Sequence, residues 1–291
     1  MYMYRVWLIT LALWASAANA NFARVSDDLN IHYLTSGNGP RVILFVPGWI
    51  MNADVFERQL SYFKDSKEYK LIAIDPRSQG LSTHTSEGNY YEQYGRDLDA
   101  FIKKLNLDQF VLVGWSNGGF QALSYVHQFG SKKLSGFVML DAAPSGNAES
   151  NLTEWAWYSR DDSDNFCEQL TQGSLNNRQK MNQDFAHWMI VNPTPEYMSW
   201  ITRIANMTSD SVAALTNANS FYQEYQKDLR DLDGKVPLLY VVRQDWKDVV
   251  PEWSKKNTPT ATIAIMDKHI SFWEHPEQFN IPFERFLENL K

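Results

Sequence analysis

Apolar residues occur along this chain in short continuous runs, not in strict alternation with polar residues. The runs cover residues 31–34, 42–46, 71–74, 110–113, 137–140, 238–242 and 261–266. Continuous runs of this length are typical of parallel strands buried on both faces of a sheet. Between them lie amphipathic segments such as residues 91–105, whose apolar side chains recur at helical spacing. The pattern predicts a doubly wound α/β sheet.

The alternation of strands and helices breaks between residues 145 and 232, where no strand is clear. We predict a helical cap at residues 145–232, inserted into a core formed by residues 21–144 and 233–291. The cap is expected to cover the carboxyl edge of the sheet, where ligands bind in open α/β folds. One or two of its scattered aromatic side chains are expected to line a pocket. These aromatic residues are Trp155, Trp157, Tyr158, Phe166, Phe185, Trp188, Tyr197 and Trp200.

The first twenty residues have the pattern of a secretory signal peptide. Arg5 precedes an apolar stretch at residues 6–15, and Ala18-Asn19-Ala20 follows. The apolar core is too short to span a bilayer comfortably. We therefore predict cleavage after Ala20, a periplasmic or secreted protein, and no stable membrane anchor after cleavage.

Composition narrows the possible partners. With 34 acidic and 27 basic residues, the formal charge of the 291-residue chain is −7, which disfavours nucleic acid and anionic membrane surfaces. Cys167 is the only cysteine, so no internal disulfide is expected. Zinc-ligand spacing and phosphate-binding glycine loops are absent from the sequence. We predict no metal and no cofactor, and the oligomeric state is not indicated.

The segment Gly114-Trp115-Ser116-Asn117-Gly118 carries the clearest chemical signal. It reads G-x-S-x-G directly after the apolar run 110–113 and before a helix-like segment at 120–125. A serine on such a strand-to-helix turn is held in a strained backbone conformation with its hydroxyl exposed. The pattern predicts that Ser116 is a nucleophile.

A nucleophilic serine needs a base and donors for an oxyanion. His269 follows the last apolar run, and the carboxyl ends of parallel strands share one edge, so it can reach Ser116. The backbone N–H groups of Asn117 and Trp49 are the predicted oxyanion donors. Gly48 allows the Trp49 loop to approach closely.

Three blocks together resemble the α/β-hydrolase superfamily, especially its carboxylesterases, lipid hydrolases and cofactor-free perhydrolases. They are Pro47-Gly48-Trp49, residues 75–82 (D-P-R-S-Q-G-L-S) and residues 114–119, with His269 at the family's terminal histidine position. The resemblance implies an α/β-hydrolase fold, with a mostly parallel eight-stranded sheet flanked by helices and a helical cap after the sixth strand. Pro47 stands where relatives usually have histidine, and Ser78 stands where they have glycine.

The resemblance also implies an acid after the seventh strand or, less often, after the sixth. After the sixth, Asp141 is in register with the rarer position. After the seventh, Asp245 and Asp248 flank the expected position, with neither in register. Asp141 is our first choice for the acid, and Asp245 and Asp248 are the alternatives.

These features predict an exported serine hydrolase that cleaves a carboxylic ester or similar acyl bond of a small molecule. A Ser-His-Asp triad would act through an acyl-enzyme. One alternative is a cofactor-free perhydrolase, in which peroxide replaces water. Another is a non-catalytic hydrolase-fold protein that binds or signals.

Overall fold

The computed structural model describes residues 19–160 and 165–290. The predicted signal peptide lies outside the described residues except for its last two positions. The strands in these ranges are β1 (Asn19–Arg24), β2 (Asn30–Ser36), β3 (Arg41–Val46), β4 (Tyr69–Ile74), β5 (Phe110–Trp115), β6 (Leu134–Leu140), β7 (Ser145–Ala148), β8 (Ala156–Ser159), β9 (Leu238–Arg243) and β10 (Thr262–Met266). The α-helices are α1 (Glu57–Tyr62), α2 (Tyr91–Lys104), α3 (Gly118–Phe129), α4 (Phe166–Asn176), α5 (Arg178–Met189), α6 (Pro195–Ala205), α7 (Asp210–Ser220), α8 (Gln226–Leu232), α9 (Val249–Asn257), α10 (Ser271–Glu274) and α11 (Glu277–Glu288).

One eight-stranded sheet organises the molecule, with strand order β1-β2-β4-β3-β5-β6-β9-β10. β2 is antiparallel to β1 and β4, and the other neighbours pair in parallel. Every apolar run of the sequence corresponds to a strand of this sheet, which confirms the predicted fold class. The pattern misses β1, a short edge strand whose Phe22 faces solvent.

Burial on both faces explains why the central strands are continuously apolar. In β5, Val111 and Val113 belong to one buried cluster, whereas Phe110 and Leu112 belong to the cluster on the opposite face. Successive side chains of a strand point to opposite faces. Because helices cover both faces, neither set can be polar.

Two short strands correct the expectation that residues 145–232 contain no strand. β7 and β8 pair in parallel, with Ser145 opposite Ala156 and Asn147 opposite Tyr158. Each has only four residues, and β7 reads Ser-Gly-Asn-Ala. Such a segment has too few apolar residues to produce a recognisable pattern.

Helices α4 to α8 follow these strands and pack on the sheet. Phe185 and Met189 of α5 and Ile201 of α6 share one buried cluster with Val113 and Leu140 of the central strands. Those two strand residues lie near the carboxyl ends of β5 and β6, where the candidate site is found. In the described part of the chain, no helix is both long and apolar enough to cross a membrane.

Candidate active site

Ser116 lies on the turn between β5 and α3. Its φ of 55° is in the left-handed region, which a non-glycine residue adopts only under local strain. Tight packing holds the turn: a Cβ added at Gly118 would lie 2.3 Å from the carbonyl oxygen of Val46. The Ser116 N–H also donates to the carbonyl of Leu140 at 3.0 Å. The backbone therefore presents the serine at the carboxyl edge of the sheet.

His269 comes from the loop after β10 and contacts this serine. Its Nε2 lies 3.0 Å from Ser116 Oγ, and the side chain is almost fully buried. The indole N–H of Trp115 donates to the His269 carbonyl at 3.0 Å. The residue next to the serine thus holds the histidine backbone as well.

Asp141 is the aspartate that meets the histidine. Its Oδ2 lies 2.5 Å from His269 Nδ1, and its Oδ1 accepts the backbone N–H of Arg243 at 2.8 Å. Like Ser116, it has a positive φ, here 38°. Asp245 instead pairs with Arg243 Nε at 3.2 Å, on a side chain that is 76% exposed. Asp248 precedes α9, and no hydrogen bond joins it to His269.

Burial and local charge set the protonation of this pair. Burial acts to raise the pKa of Asp141, but the Arg243 charge and the His269 hydrogen bond together hold that pKa below its ordinary value. Burial lowers the pKa of His269 below its ordinary value, although Asp141 opposes the shift. At neutral pH the arrangement is an ionised carboxylate beside a neutral imidazole, which leaves a lone pair for the serine proton.

Two backbone amides beside Ser116 are free to donate. Among the described residues, the N–H groups of Trp49 and Asn117 have no acceptor. A Cβ added at Gly48 would lie 2.7 Å from the Ser116 Cβ, so the loop carrying Trp49 passes directly against the serine. The Trp49 indole N–H donates to the Ala213 carbonyl of α7 at 2.8 Å, which anchors this loop to that helix.

A cavity of about 30 Å³ adjoins Ser116 and His269. Five aromatic side chains of residues 145–232 line it, more than the one or two that the sequence pattern predicts: Trp157, Tyr158, Phe166, Phe185 and Trp188. The others pack elsewhere, since Trp155 meets Tyr240 and Trp253, and Tyr197 and Trp200 meet Trp273. No cluster of three or more His, Cys, Asp or Glu side chains in the described ranges could hold a metal ion.

Sequence reasoning missed Arg243 and the tryptophans around it. Arg243 ends β9, and its side chain contacts Asp141 as well as three indole rings. An arginine directly after the apolar run 238–242 was a usable signal, because a charge that ends a buried strand needs a buried partner.

Two named bacterial proteins are similar in sequence to part of this chain. It is 33% identical over 123 residues to a non-heme haloperoxidase of Rhodococcus erythropolis, a match that covers 42% of this chain and 44% of that protein. It is 29% identical over 126 residues to a bifunctional esterase/perhydrolase of Acinetobacter calcoaceticus, covering 42% and 45%. The matched segment spans less than half the length of these relatives.

Solved structures and a family model match far more of the chain. A bromoperoxidase from Bacillus anthracis superimposes with a TM-score of 0.79 at 21% identity, over 93% of this chain and all of that one (100%). An esterase from Exiguobacterium antarcticum gives 0.81 at 19% identity, with the same 93% and 100% coverage. The model described as "alpha/beta hydrolase fold" matches residues 41–284. The chain therefore belongs to the α/β-hydrolase fold family.

Proposed function

We propose that this protein is an exported serine hydrolase that cleaves the ester or a similar acyl bond of a small molecule. The observation that carries the proposal is the continuous hydrogen-bonded series Asp141–His269–Ser116, with its serine on a strained strand-to-helix turn. The family membership and the esterase-like relatives support the same reaction class.

The geometry supports an acyl-enzyme mechanism. Because Asp141 accepts a hydrogen bond from the Nδ1–H group, the free Nε2 of His269 takes the Ser116 proton as the hydroxyl attacks the carbonyl carbon. The N–H groups of Trp49 and Asn117 receive the oxyanion. His269 then protonates the departing alkoxide. A water molecule then gives a proton to His269 and attacks the acyl carbon. The resulting tetrahedral intermediate breaks down to release the carboxylic acid, and His269 returns the proton to Ser116.

A fluorophosphonate probe tests the proposal without knowledge of the substrate. The probe phosphonylates an activated serine, and peptide mass mapping identifies the modified residue. We expect the adduct on Ser116 of the native protein and none after heat denaturation. A folded protein that does not react would contradict the hydrolase function.

The small cavity beside Ser116 leads us to expect short acyl groups. Its volume is only about 30 Å³, against about 180 Å³ for the neighbouring groove. This groove lies across a partition whose side chains line both spaces, namely Phe166, Leu170, Phe185 and Trp188. Long acyl chains would need this partition to move.

Leu170→Ala is expected to join the cavity to the groove. Since a change of one or two methylenes in an apolar pocket alters specificity by roughly tenfold or more, we expect the kcat/KM ratio of p-nitrophenyl hexanoate to acetate to rise by about that factor. Leu175→Ala is the control, because Leu175 lies on the same helix and is 54% exposed. An unchanged ratio in Leu170→Ala would mean that the acyl group binds elsewhere.

Perhydrolysis is a second candidate activity, favoured by relatives named as non-heme haloperoxidases and as a bifunctional esterase/perhydrolase. Hydrogen peroxide would replace water and attack the acyl carbon of the acyl-enzyme. The acyl group would then leave as a peracid, and His269 would return the proton to Ser116. Peracetic acid formation from an acetate ester and peroxide is the measurement. Ester hydrolysis without any peracid would exclude this activity.

Export is the remaining part of the proposal and is supported by the sequence of residues 1–20. Cleavage after Ala20 would still leave residues 21–24 of β1 to pair with β2. The intact mass of the protein recovered from the periplasm or medium should correspond to a chain that begins at Asn21. A full-length chain confined to the cytoplasm would contradict export.

A further inference from the structure

Arg243 is a buried cation placed directly against the carboxylate of Asp141. The residue is only 9% exposed, and its Nη1 lies 3.1 Å from Asp141 Oδ2. Its own backbone N–H donates to Oδ1 of the same carboxylate at 2.8 Å. Oδ2 is also the oxygen that faces His269 Nδ1. Both carboxylate oxygens are thus oriented by Arg243, and one of them is shared with the histidine.

Three indole rings hold the guanidinium in place. Its central carbon lies 3.7 Å from the Trp246 ring centre, 5.4 Å from that of Trp157 and 5.3 Å from that of Trp188. A planar guanidinium stacks on aromatic faces in a way that a lysine ammonium cannot reproduce. Of these rings, Trp157 and Trp188 also pack against His269, with ring centres 5.6 Å and 4.8 Å away. The same aromatic side chains therefore position the arginine and the imidazole.

We propose that Arg243 is a positioning residue that fixes the Asp141 carboxylate toward His269 and supplies the charge that balances it in the buried site. The inference rests on the proposed Ser116 mechanism. Without the Arg243 side chain, Asp141 would be a fully buried carboxylate that has lost the Nη1 hydrogen bond and the positive charge at Oδ2, and misplacement of a catalytic group is costly in rate.

The Arg243 charge favours the ionised form of Asp141 but disfavours the protonated form of His269. Burial is the main reason that the pKa of His269 is lowered, and the nearby Arg243 charge lowers it further. Asp141 and Arg243 are the charged groups that act on the imidazole. Asp245 pairs with Arg243, and Tyr158 is a further titratable side chain that lines the cavity. Removing the cation should therefore raise the pKa of His269. Because the base must be neutral to act, reactivity at pH 6 should fall more than reactivity at pH 8.

The experiment uses the full chain and the rate of fluorophosphonate labelling of Ser116 at pH 6 and pH 8. For Arg243→Gln we expect labelling at pH 8 to slow by about 10²-fold, the scale of a misplaced catalytic group, and the pH 8 to pH 6 ratio to rise. Arg243→Lys retains the positive charge but lacks the planar guanidinium that stacks on the indole rings. It should label at an intermediate rate with a ratio close to that of the wild type.

Arg77→Gln is the matched control, since Arg77 is also buried and donates to both oxygens of Asp97 at 2.7 and 2.8 Å. We expect it to lower the melting temperature and leave labelling unchanged. Wild-type labelling and pH ratio in Arg243→Gln would overturn the inference. If Arg243→Gln does not fold, the labelling rate of Arg243→Lys is the test. A wild-type labelling rate in Arg243→Lys would then overturn the inference. Failure of the wild type to label would instead reject the proposed function.

Discussion

Replacing Ser116 with alanine is expected to lower kcat for p-nitrophenyl acetate by about 10⁶-fold, the scale seen when a triad serine is removed. The hydroxyl is the group that forms the acyl-enzyme, and no other side chain of this site can replace it in that role. His269 Nε2, now 3.0 Å from Ser116 Oγ, would have no proton to accept. The measurement is steady-state hydrolysis together with fluorophosphonate labelling.

Ser124→Ala provides the control for this experiment. Ser124 is buried in the adjacent helix α3 and accepts a hydrogen bond from Gln128, away from His269. Its variant should keep kcat within a few-fold of the wild type. If Ser116→Ala retained activity with unchanged folding, Ser116 could not be the nucleophile.

Asp141→Asn is expected to lower kcat by about 10⁴-fold, as loss of the acid does in comparable triads. An amide at this position can donate to His269 Nδ1, which would put the imidazole proton on Nε2 and block acceptance of the serine proton. Arg243 would also lose its buried counter-charge. Because breaking a buried ion pair from one side costs about 3–5 kcal/mol of stability, the melting temperature must be measured with kcat.

Asp245→Asn and Asp248→Asn separate the alternatives for the acid. The Asp245 carboxylate is mostly exposed and pairs with Arg243, and Asp248 lies at the start of α9. Both variants should retain kcat within a few-fold. A large loss in either one, with Asp141→Asn still active, would move the acid to the loop after β9.

The local pattern of apolar and polar residues was sufficient to predict most of the fold. The apolar runs located the strands because both faces of the sheet are covered, and the segment at residues 91–105 corresponds to α2 (Tyr91–Lys104) with Tyr94, Leu98 and Phe101 buried. The pattern failed at β7 and β8, because each strand has only four residues. It also missed β1, an edge strand. Such strands depend on their pairing partners more than on their own composition.

By itself, the sequence determined that Ser116 lies on a sharp strand-to-helix turn, because the signal for that turn is contained in adjacent residues. It also pointed to His269, because parallel strands end at one edge. Only the tertiary structure placed Asp141, among the three candidate aspartates, in contact with His269 and brought Arg243 and its indole rings to it. Those contacts join residues 102 and 128 positions apart in the chain. The free energy of a buried carboxylate depends on such distant neighbours, which no local pattern specifies.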